Sequence, residues 1–403
     1  MEKGDKLICA PTSWRGRRGY TLGNGLVSLV TLLGGGHIAE FRFHETSGLP
    51  ALNPLWIPPW KTIDPDRYRP LQHASKYGSV TSGAKLLAGI TGHNLCLDYF
   101  GVPSPEEYES GMSDHGEAPN SRWHKLKLSV SDRQAALTLS VNLPAAGLGF
   151  TRKIRLLREE SVAYFEEVVT NRRELDHFFH WVQHVSLGPP FLSASETSVA
   201  FHGTRGKTSP GDYEKGKNLL ACDREFRWPL APGAAGGKVD LRRTLTRRGR
   251  GFVAGVLIDP KRDSGFVAAL NARHHLLIGY CFRRSDYPWV TIWEENSTIG
   301  ARPWGGRTET RGLEFGTTPL ALRRREAYAM GRLFDTPTFD CVPAHGRRTV
   351  HYAAFLAAVP RDFDQVRDVR VEKDRILVFG GEIKNPVILP ARGLSQTNLV
   401  PNQ

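Results

Sequence analysis

Short segments in which polar and apolar residues alternate recur along the chain, and they constrain its fold more than any other feature. Residues 124–130 alternate in this way, and residues 136–142 do so again after a turn at Ser131-Asp132. A period of two is typical of half-buried strands, so this stretch predicts a β-hairpin. Further strands are predicted at residues 151–157, 162–171, 179–187, 251–258, 264–270, 276–283, 290–296, 349–358 and 369–379.

Strands that follow one another with turn signals between them favour an antiparallel sandwich or barrel. Residues 318–331 are the best candidate for a helix, although the same segment suits a strand. The glycines at 34–36 lack the spacing of a nucleotide-binding loop and predict a turn between strands. We therefore expect one large all-β domain over residues 1–403, with the proline-rich stretch 52–70 as a long surface excursion.

The formal charge of +13 raises the question of an anionic partner. The arginines form only short clusters, and no nucleic-acid-binding motif accompanies them, so we predict no nucleic-acid partner. Basic residues on loops and strand edges explain the charge, while a sugar phosphate or sugar acid is also compatible with it.

The five cysteines contain no C-x-x-C pair and predict free thiols in a reducing compartment. The first residues lack the pattern of a signal peptide, and the apolar run 26–33 is too short to span a membrane. These observations predict a cytoplasmic protein without a membrane partner.

Three histidines, His177, His180 and His184, lie within eight residues of a predicted strand. Alternation puts His180 and His184 on one face and His177 on the other. Four positions of strand separate two side chains by about 13 Å, too far to chelate one ion without a bend. We therefore predict no metal site here, which leaves two alternatives: an imidazole that acts as a general acid or base, and histidines that are hydrogen-bonded within a core.

Several short motifs appear in the same order as in a known family. They are Gly34 to Phe41, residues 88–101, the His-Gly of residues 114–123, the Thr-Asn strand 166–171 followed by residues 178–191, and residues 311–318. Taken together, this order resembles the galactose mutarotase (aldose 1-epimerase) superfamily, nearest to its hexose-phosphate mutarotase branch.

This resemblance implies a galactose mutarotase-like β-sandwich and a cofactor-free isomerase that interconverts the anomers of an aldose or sugar derivative. Matched to the family motifs, His115 would bind substrate, His184 would be the catalytic acid and Glu314 the base. Taken alone, His184 could equally be a core histidine and Glu314 a solvent-facing carboxylate. Further candidates for sugar contacts are His180, Trp293, Trp304 and Asp98, with Asp286 as another possible aspartate.

Two other functions suit the same residues. One is a lyase or hydrolase that acts on acidic polysaccharides, for which the positive charge would be suitable. The other is a carbohydrate-binding protein without catalytic activity. The presence of both His184 and Glu314 favours the isomerase over the binding protein.

Overall fold

Two large antiparallel sheets, stacked face to face, form the body of the protein. The computed structural model describes residues 6–78, 83–381 and 385–399. The strands in chain order are β1 (Ile8–Trp14), β2 (Arg17–Gly23), β3 (Val27–Leu32), β4 (Ile38–Phe43), β5 (His93–Asp98), β6 (His124–Val130), β7 (Gln134–Leu143), β8 (Leu148–Leu157), β9 (Val162–Asn171), β10 (His177–Leu187), β11 (Thr197–Ala200), β12 (Gly203–Thr208), β13 (Glu225–Arg227), β14 (Leu230–Pro232), β15 (Lys238–Asp240), β16 (Arg250–Ile258), β17 (Ser264–Asn271), β18 (Leu276–Arg283), β19 (Trp289–Asn296), β20 (Glu309–Gly316), β21 (Arg332–Leu333), β22 (Thr336–Pro337), β23 (Asp340–Val342), β24 (Arg347–Ala358), β25 (Val366–Val371), β26 (Arg375–Gly380) and β27 (Val387–Pro390).

Helices are few and short. They are α1 (Pro70–Tyr77), α2 (Gly83–Gly89), α3 (Pro105–Glu109) and α4 (Arg324–Met330), with single 3-10 turns at Glu45–Ser47, Pro65–Arg67, Ala118–Asn120 and Arg392–Gln396. Among the described residues, no helix has the length and apolar character needed to cross a bilayer.

The first sheet has 14 strands in the order β1-β2-β3-β4-β5-β10-β20-β19-β16-β12-β13-β14-β15, and β23 pairs with one end of β10. The second has eight strands in the order β11-β17-β18-β24-β9-β8-β7-β6. A third sheet, β25-β26-β27, packs its apolar side chains against the second sheet. The predicted all-β antiparallel sandwich is thus confirmed.

Strand β10 lies near the middle of the first sheet, and its two faces have different environments. Trp181, Val185 and Leu187 point into the apolar core between the large sheets. Because side chains alternate along a strand, Val182 and His184 project from the opposite face. The sequence-predicted division of this strand into two faces is therefore confirmed.

Several predicted elements can be compared directly with the structure. The strands predicted at 162–171 and 276–283 match β9 and β18. The single strand predicted at 369–379 is wrong, because a tight turn separates β25 from β26; the N–H of Glu372 donates to the carbonyl of Arg375 at 2.9 Å. The helix predicted at 318–331 forms only over α4; before it, the carbonyl of Pro319 accepts a hydrogen bond from the hydroxyl of Thr291 on β19 at 2.8 Å.

The glycine turn at 34–36 joins β3 to β4, as predicted. Gly36 has a φ of +63°, which favours glycine. A Cβ atom there would lie 2.4 Å from the ring of Trp123. Glycine is therefore required at this position for both its conformation and its lack of a side chain.

The expectation of a surface excursion over residues 52–70 needs correction. The stretch lies outside the large sheets, but much of it is buried, including Trp56 and Asp64. The N–H of Trp56 donates to the carbonyl of Ser186 at 2.8 Å, and Asp64 pairs with the buried Arg17 at 3.0 Å. These contacts hold the segment against the end of β10, where it covers the outer face of the first sheet.

Candidate active site

His184 and Glu314 face each other on two paired strands of the first sheet. The register of β10 and β20 places the two residues directly opposite. Their neighbours Val185 and Phe315 point into the core between the sheets, so both polar side chains project from the outer face. Nε2 of His184 lies 3.2 Å from Oε1 of Glu314, and both residues are buried.

A glycine makes room for the carboxylate. Gly312 lies two residues before Glu314 and therefore on the same face of β20. A Cβ atom at Gly312 would come within 2.2 Å of Oε1 of Glu314. The Arg-Gly-Leu-Glu sequence of residues 311–314 thus combines a carboxylate with the space that it needs.

The pair opens into a cavity of about 360 Å³, which His115 also lines. The ring centroids of His115 and His184 are 5.3 Å apart. The complete lining is Gly83, Leu86, Leu87, Ile90, Phe100, Gly101, Val102, Asp114, His115, His184, Tyr213, Val253, Trp293, Ile299, Trp304, Glu314 and Ala321. This volume falls within the usual range for small-molecule sites, about 300–1,000 Å³.

His115 is held in a strained turn. Its φ is +60°, an uncommon value for a residue with a side chain, and Gly116 follows at +81°. A Cβ atom at Gly116 would lie 2.2 Å from the carbonyl oxygen of Leu97, so only glycine fits there. The His-Gly pair thus turns the chain back against β5 and directs the imidazole toward His184. Strain of this kind is concentrated at functional sites.

Burial changes the proton equilibria of all three groups. Loss of solvation raises the pKa of Glu314 well above its ordinary value. It lowers the pKa of His184 well below the imidazole value, with a further contribution from His115. The pKa of His115 falls to about 4 for the same reason. Burial therefore favours the protonated form of the carboxyl group and the neutral form of both imidazoles.

Oε1 of Glu314 and Nδ1 of His115 are buried in this site without a hydrogen-bond partner among the described residues. The close approach of His184 to Glu314 lacks the alignment of a hydrogen bond. Since the great majority of buried polar groups in proteins are hydrogen-bonded, these atoms are suited to contact a ligand. His184 itself is fixed by Ser186, whose Oγ lies 3.2 Å from Nδ1.

Aromatic side chains form one wall. Trp293 lies on β19, and its ring centroid is 5.8 Å from that of His184. Its indole N–H donates to Tyr213 Oη at 2.7 Å, and the Tyr213 hydroxyl donates to Glu295 at 2.9 Å. Trp304 packs edge-on against Trp293, with ring centroids 6.0 Å apart. Both predicted tryptophans therefore line the cavity.

Two predicted sugar contacts lie elsewhere, and the expectation for them is corrected. His180 accepts a hydrogen bond from the N–H of Phe100 at 3.3 Å and stacks on Tyr99. Asp98 pairs with His177 at 2.7 Å and with Arg324 at 2.8 Å. Neither residue lines the cavity. The carboxylate of Asp98 is occupied by its two ion pairs, whereas Nε2 of His180 is buried without a partner outside the cavity. The alternative aspartate, Asp286, pairs with Arg348 at 3.1 Å.

Phe100, Asp114 and Tyr213 are among the lining residues that the sequence did not single out. Phe100 and Asp114 belong to motifs that were recognised, but neither was selected. Tyr213 lies in a loop between β12 and β13 and carries no local signal. Among the described residues, no group of three or more His, Cys, Asp or Glu side chains could hold a metal ion.

The sequence matches no family model and no curated protein. Solved structures do match. A putative aldose 1-epimerase from Klebsiella pneumoniae superposes with a TM-score of 0.62 at 13% identity, over 86% of this chain and 80% of that one. A putative mutarotase from Salmonella typhimurium gives 0.55 at 11% identity, over 88% and 97%.

A galactose mutarotase-like protein from Clostridium acetobutylicum gives a TM-score of 0.54 at 12% identity, over 88% of this chain and 99% of that one. At identities of 11–13%, the similarity between this chain and the solved structures is a similarity of fold alone. The chain has the galactose mutarotase-like β-sandwich that the sequence motifs predicted.

Proposed function

We propose that this chain, which has the galactose mutarotase-like fold, is a carbohydrate isomerase that interconverts the anomers of a free aldose. The observation that carries the proposal is the buried pair of His184 and Glu314, which face each other at 3.2 Å in a ligand-sized cavity. A carboxyl group and an imidazole at this separation can act on two oxygens of one sugar ring.

The reaction requires only proton transfers and the breaking and re-forming of one carbon–oxygen bond. A base removes the proton from the anomeric hydroxyl while an acid protonates the ring oxygen. The bond between the anomeric carbon and the ring oxygen breaks, and the anomeric C–O bond becomes a carbonyl. Rotation about the adjacent carbon–carbon bond exposes the other face, and the ring closes with the acid and base roles exchanged.

The pair must hold one proton for this sequence. Burial favours the state in which Glu314 carries that proton and His184 is neutral. In that state His184 is the base of ring opening and Glu314 the acid, the reverse of the roles inferred by resemblance. Because the roles exchange on ring closure, each group serves in both capacities over one turnover, and the pair returns to its starting state.

His115 and the tryptophans would hold the sugar. A neutral imidazole at His115 presents Nδ1, which lacks a protein partner, to a sugar hydroxyl. The faces of Trp293 and Trp304 suit the C–H faces of a pyranose. The alternative of an enzyme for acidic polysaccharides has less support, since no lysine or arginine lines the cavity within the described part of the chain.

The test follows the anomeric exchange of freshly dissolved aldoses by polarimetry and by NMR. We expect the wild type to accelerate at least one sugar, and His184→Asn and Glu314→Gln to lower kcat by about 10²- to 10⁴-fold, as is usual when a general acid or base is lost. Glu166→Gln on β9, and His351→Asn on β24, serve as controls outside the cavity.

Rates of the control variants should stay within about threefold of wild type, because neither side chain lines the cavity. Binding of a sugar without acceleration would support the non-catalytic alternative. Full activity in both His184→Asn and Glu314→Gln would contradict the catalytic assignment.

A further inference from the structure

A second cavity, of about 610 Å³, lies at one end of the sandwich, between strands that belong to different sheets. Asn296 ends β19 and Glu309 begins β20 in the first sheet, whereas Asn271 ends β17 in the second. Within the described ranges, this cavity shares no lining residue with the one at His184 and Glu314. Its volume is within the usual range for small-molecule sites, about 300–1,000 Å³.

The side-chain amide of Asn296 is a buried polar group without a protein partner. Asn296 is 2% exposed and lines the second cavity, and its side chain forms no hydrogen bond with any residue that the structure describes. Asn271, in the same lining, shows the ordinary state: its amide donates to the carbonyl of Phe191 at 2.7 Å and accepts from the N–H of His274 at 2.9 Å. Since most buried side-chain amides are hydrogen-bonded, the amide of Asn296 is suited to contact a ligand.

Two arginines line the same cavity from turns that are held in place. Arg248 precedes Gly249, whose N–H donates to the carbonyl of Asn296 at 2.7 Å. Arg273 lies in the turn between β17 and β18, which is held by a hydrogen bond to the side chain of Asn271. Both arginines are exposed, and neither guanidinium forms an ion pair or a hydrogen bond with another described residue. The two turns thus bring unpaired positive charge to the cavity.

Glu309 supplies negative charge beside Asn296. The two residues lie directly opposite each other on β19 and β20, so their side chains project from the same face. In the described part of the chain, Glu309 forms no ion pair and is the single carboxylate of this lining. A carboxylate accepts hydrogen bonds but donates none, so Glu309 requires a donor from a ligand or from water. With two arginines against one carboxylate, the lining keeps an excess of positive charge.

We propose that the second cavity binds a small hydroxylated anion. Its carboxylate or phosphate group pairs with Arg248 and Arg273, since guanidinium groups bind both kinds of anion. Its hydroxyl groups donate to Glu309 and form hydrogen bonds with the amide of Asn296. An anion without hydroxyl groups would leave the amide and the carboxylate unsatisfied, and an uncharged polyol would leave the arginines unpaired. The site is independent of the isomerase proposed for the other cavity.

The binding experiment uses open-chain ligands, which have no anomeric carbon and cannot be substrates of the proposed isomerase. D-Gluconate and D-glucitol 6-phosphate carry both an anionic group and hydroxyl groups, whereas D-glucitol lacks the anionic group and hexanoate lacks the hydroxyl groups. In isothermal titration calorimetry, we expect the better of the two hydroxylated anions to bind at least about 10-fold more tightly than D-glucitol and hexanoate. The better ligand identifies the anionic group that the arginines prefer.

Variants of the two arginines test the position of the anion. Arg248→Gln and Arg273→Gln change exposed side chains, and each should weaken binding of that ligand by about 10-fold. Arg347→Gln, an exposed arginine of β24 outside this lining, is the matched control and should bind it like wild type. His184→Asn should also bind it like wild type, because His184 lines the other cavity.

Three results would overturn the inference. They are hydroxylated anions that bind no more tightly than D-glucitol or hexanoate, affinity that is undiminished in either arginine variant, and binding that is lost in His184→Asn. Weaker binding in both arginine variants, with full affinity in Arg347→Gln and His184→Asn, would support the second site. That support would hold whether or not the chain accelerates anomeric exchange.

Discussion

Replacement of Glu167 by glutamine is expected to be among the most destabilising conservative changes in the chain. Glu167 lies on β9, fully buried between the two large sheets. Its Oε1 accepts from Arg152 at 2.6 Å and from the Tyr352 hydroxyl at 2.9 Å. Its Oε2 accepts from Gln183 at 2.6 Å and from the indole of Trp181 at 3.2 Å.

A glutamine side chain cannot accept all four of these hydrogen bonds. One of its two terminal atoms is an amide nitrogen, which would face two donors whichever way the amide is turned. The substitution also removes the charge that balances Arg152, which is itself fully buried. Breaking a buried ion pair by removing one partner typically costs about 3–5 kcal/mol, and we expect a loss of that size for Glu167→Gln.

Equilibrium unfolding in urea provides the measurement, with Glu166→Gln as the control. Glu166 is the adjacent residue, its side chain is 42% exposed, and it lies 3.7 Å from His351. An exposed pair of this kind contributes less than about 1 kcal/mol, so the control should unfold close to wild type. If Glu167→Gln lost no more free energy of unfolding than Glu166→Gln, the reasoning about the buried network would be refuted.

Three further predictions concern the cavity. Because burial raises the folded pKa of Glu314 above its unfolded value, the stability contributed by the protonated carboxyl group is complete below the unfolded pKa and is lost as pH rises through the folded pKa. Glu314→Gln should therefore be more stable than wild type at pH 7, by about 1.4 kcal/mol for each pH unit from the unfolded pKa up to pH 7 or the folded pKa, whichever is lower, and should lose this advantage near pH 4 in urea titrations. Since the pKa of His184 is lowered, kcat/KM should not decline until the pH is well below 6.5, and an acid limb at or above that value in a pH profile would contradict the assignment. Ser186→Ala should lower kcat about 10-fold with little change in KM and should alter the His184 tautomer seen by ¹⁵N NMR. Ser186→Thr should restore both kcat and the tautomer. An unaltered tautomer in Ser186→Ala would exclude Ser186 as a positioning residue.

Regular strands could be predicted from the sequence because their pattern is local. The predicted bounds 162–171 coincide with β9, which is rich in valine and aromatic residues and whose buried and half-buried positions alternate from residue 165 onward. The same rule correctly separated the faces of β10, with Trp181 toward the core and His184 away from it. Strands whose residues follow a short-range period can therefore be predicted without information about the rest of the chain.

Contacts between distant segments could not be predicted in this way. Asp98 looked available for a sugar, but Arg324, 226 residues later, pairs with it. Tyr213 enters the cavity from a loop and is held there through Glu295 on β19. The covering role of residues 52–70 depends likewise on β10 and on Arg17. No local pattern encodes these partners.

The candidate site brings together two departures from ordinary protein geometry, each of which also occurs elsewhere among the described residues. Glu314 is a buried carboxyl group with an unpartnered oxygen, and His115 has a positive φ although it is not glycine. Each departure costs stability, and both occur around one cavity beside His184. The unpartnered oxygen of Glu314, beside His184 in a ligand-sized cavity, is the physical support for the proposal that this carboxyl group acts on a substrate.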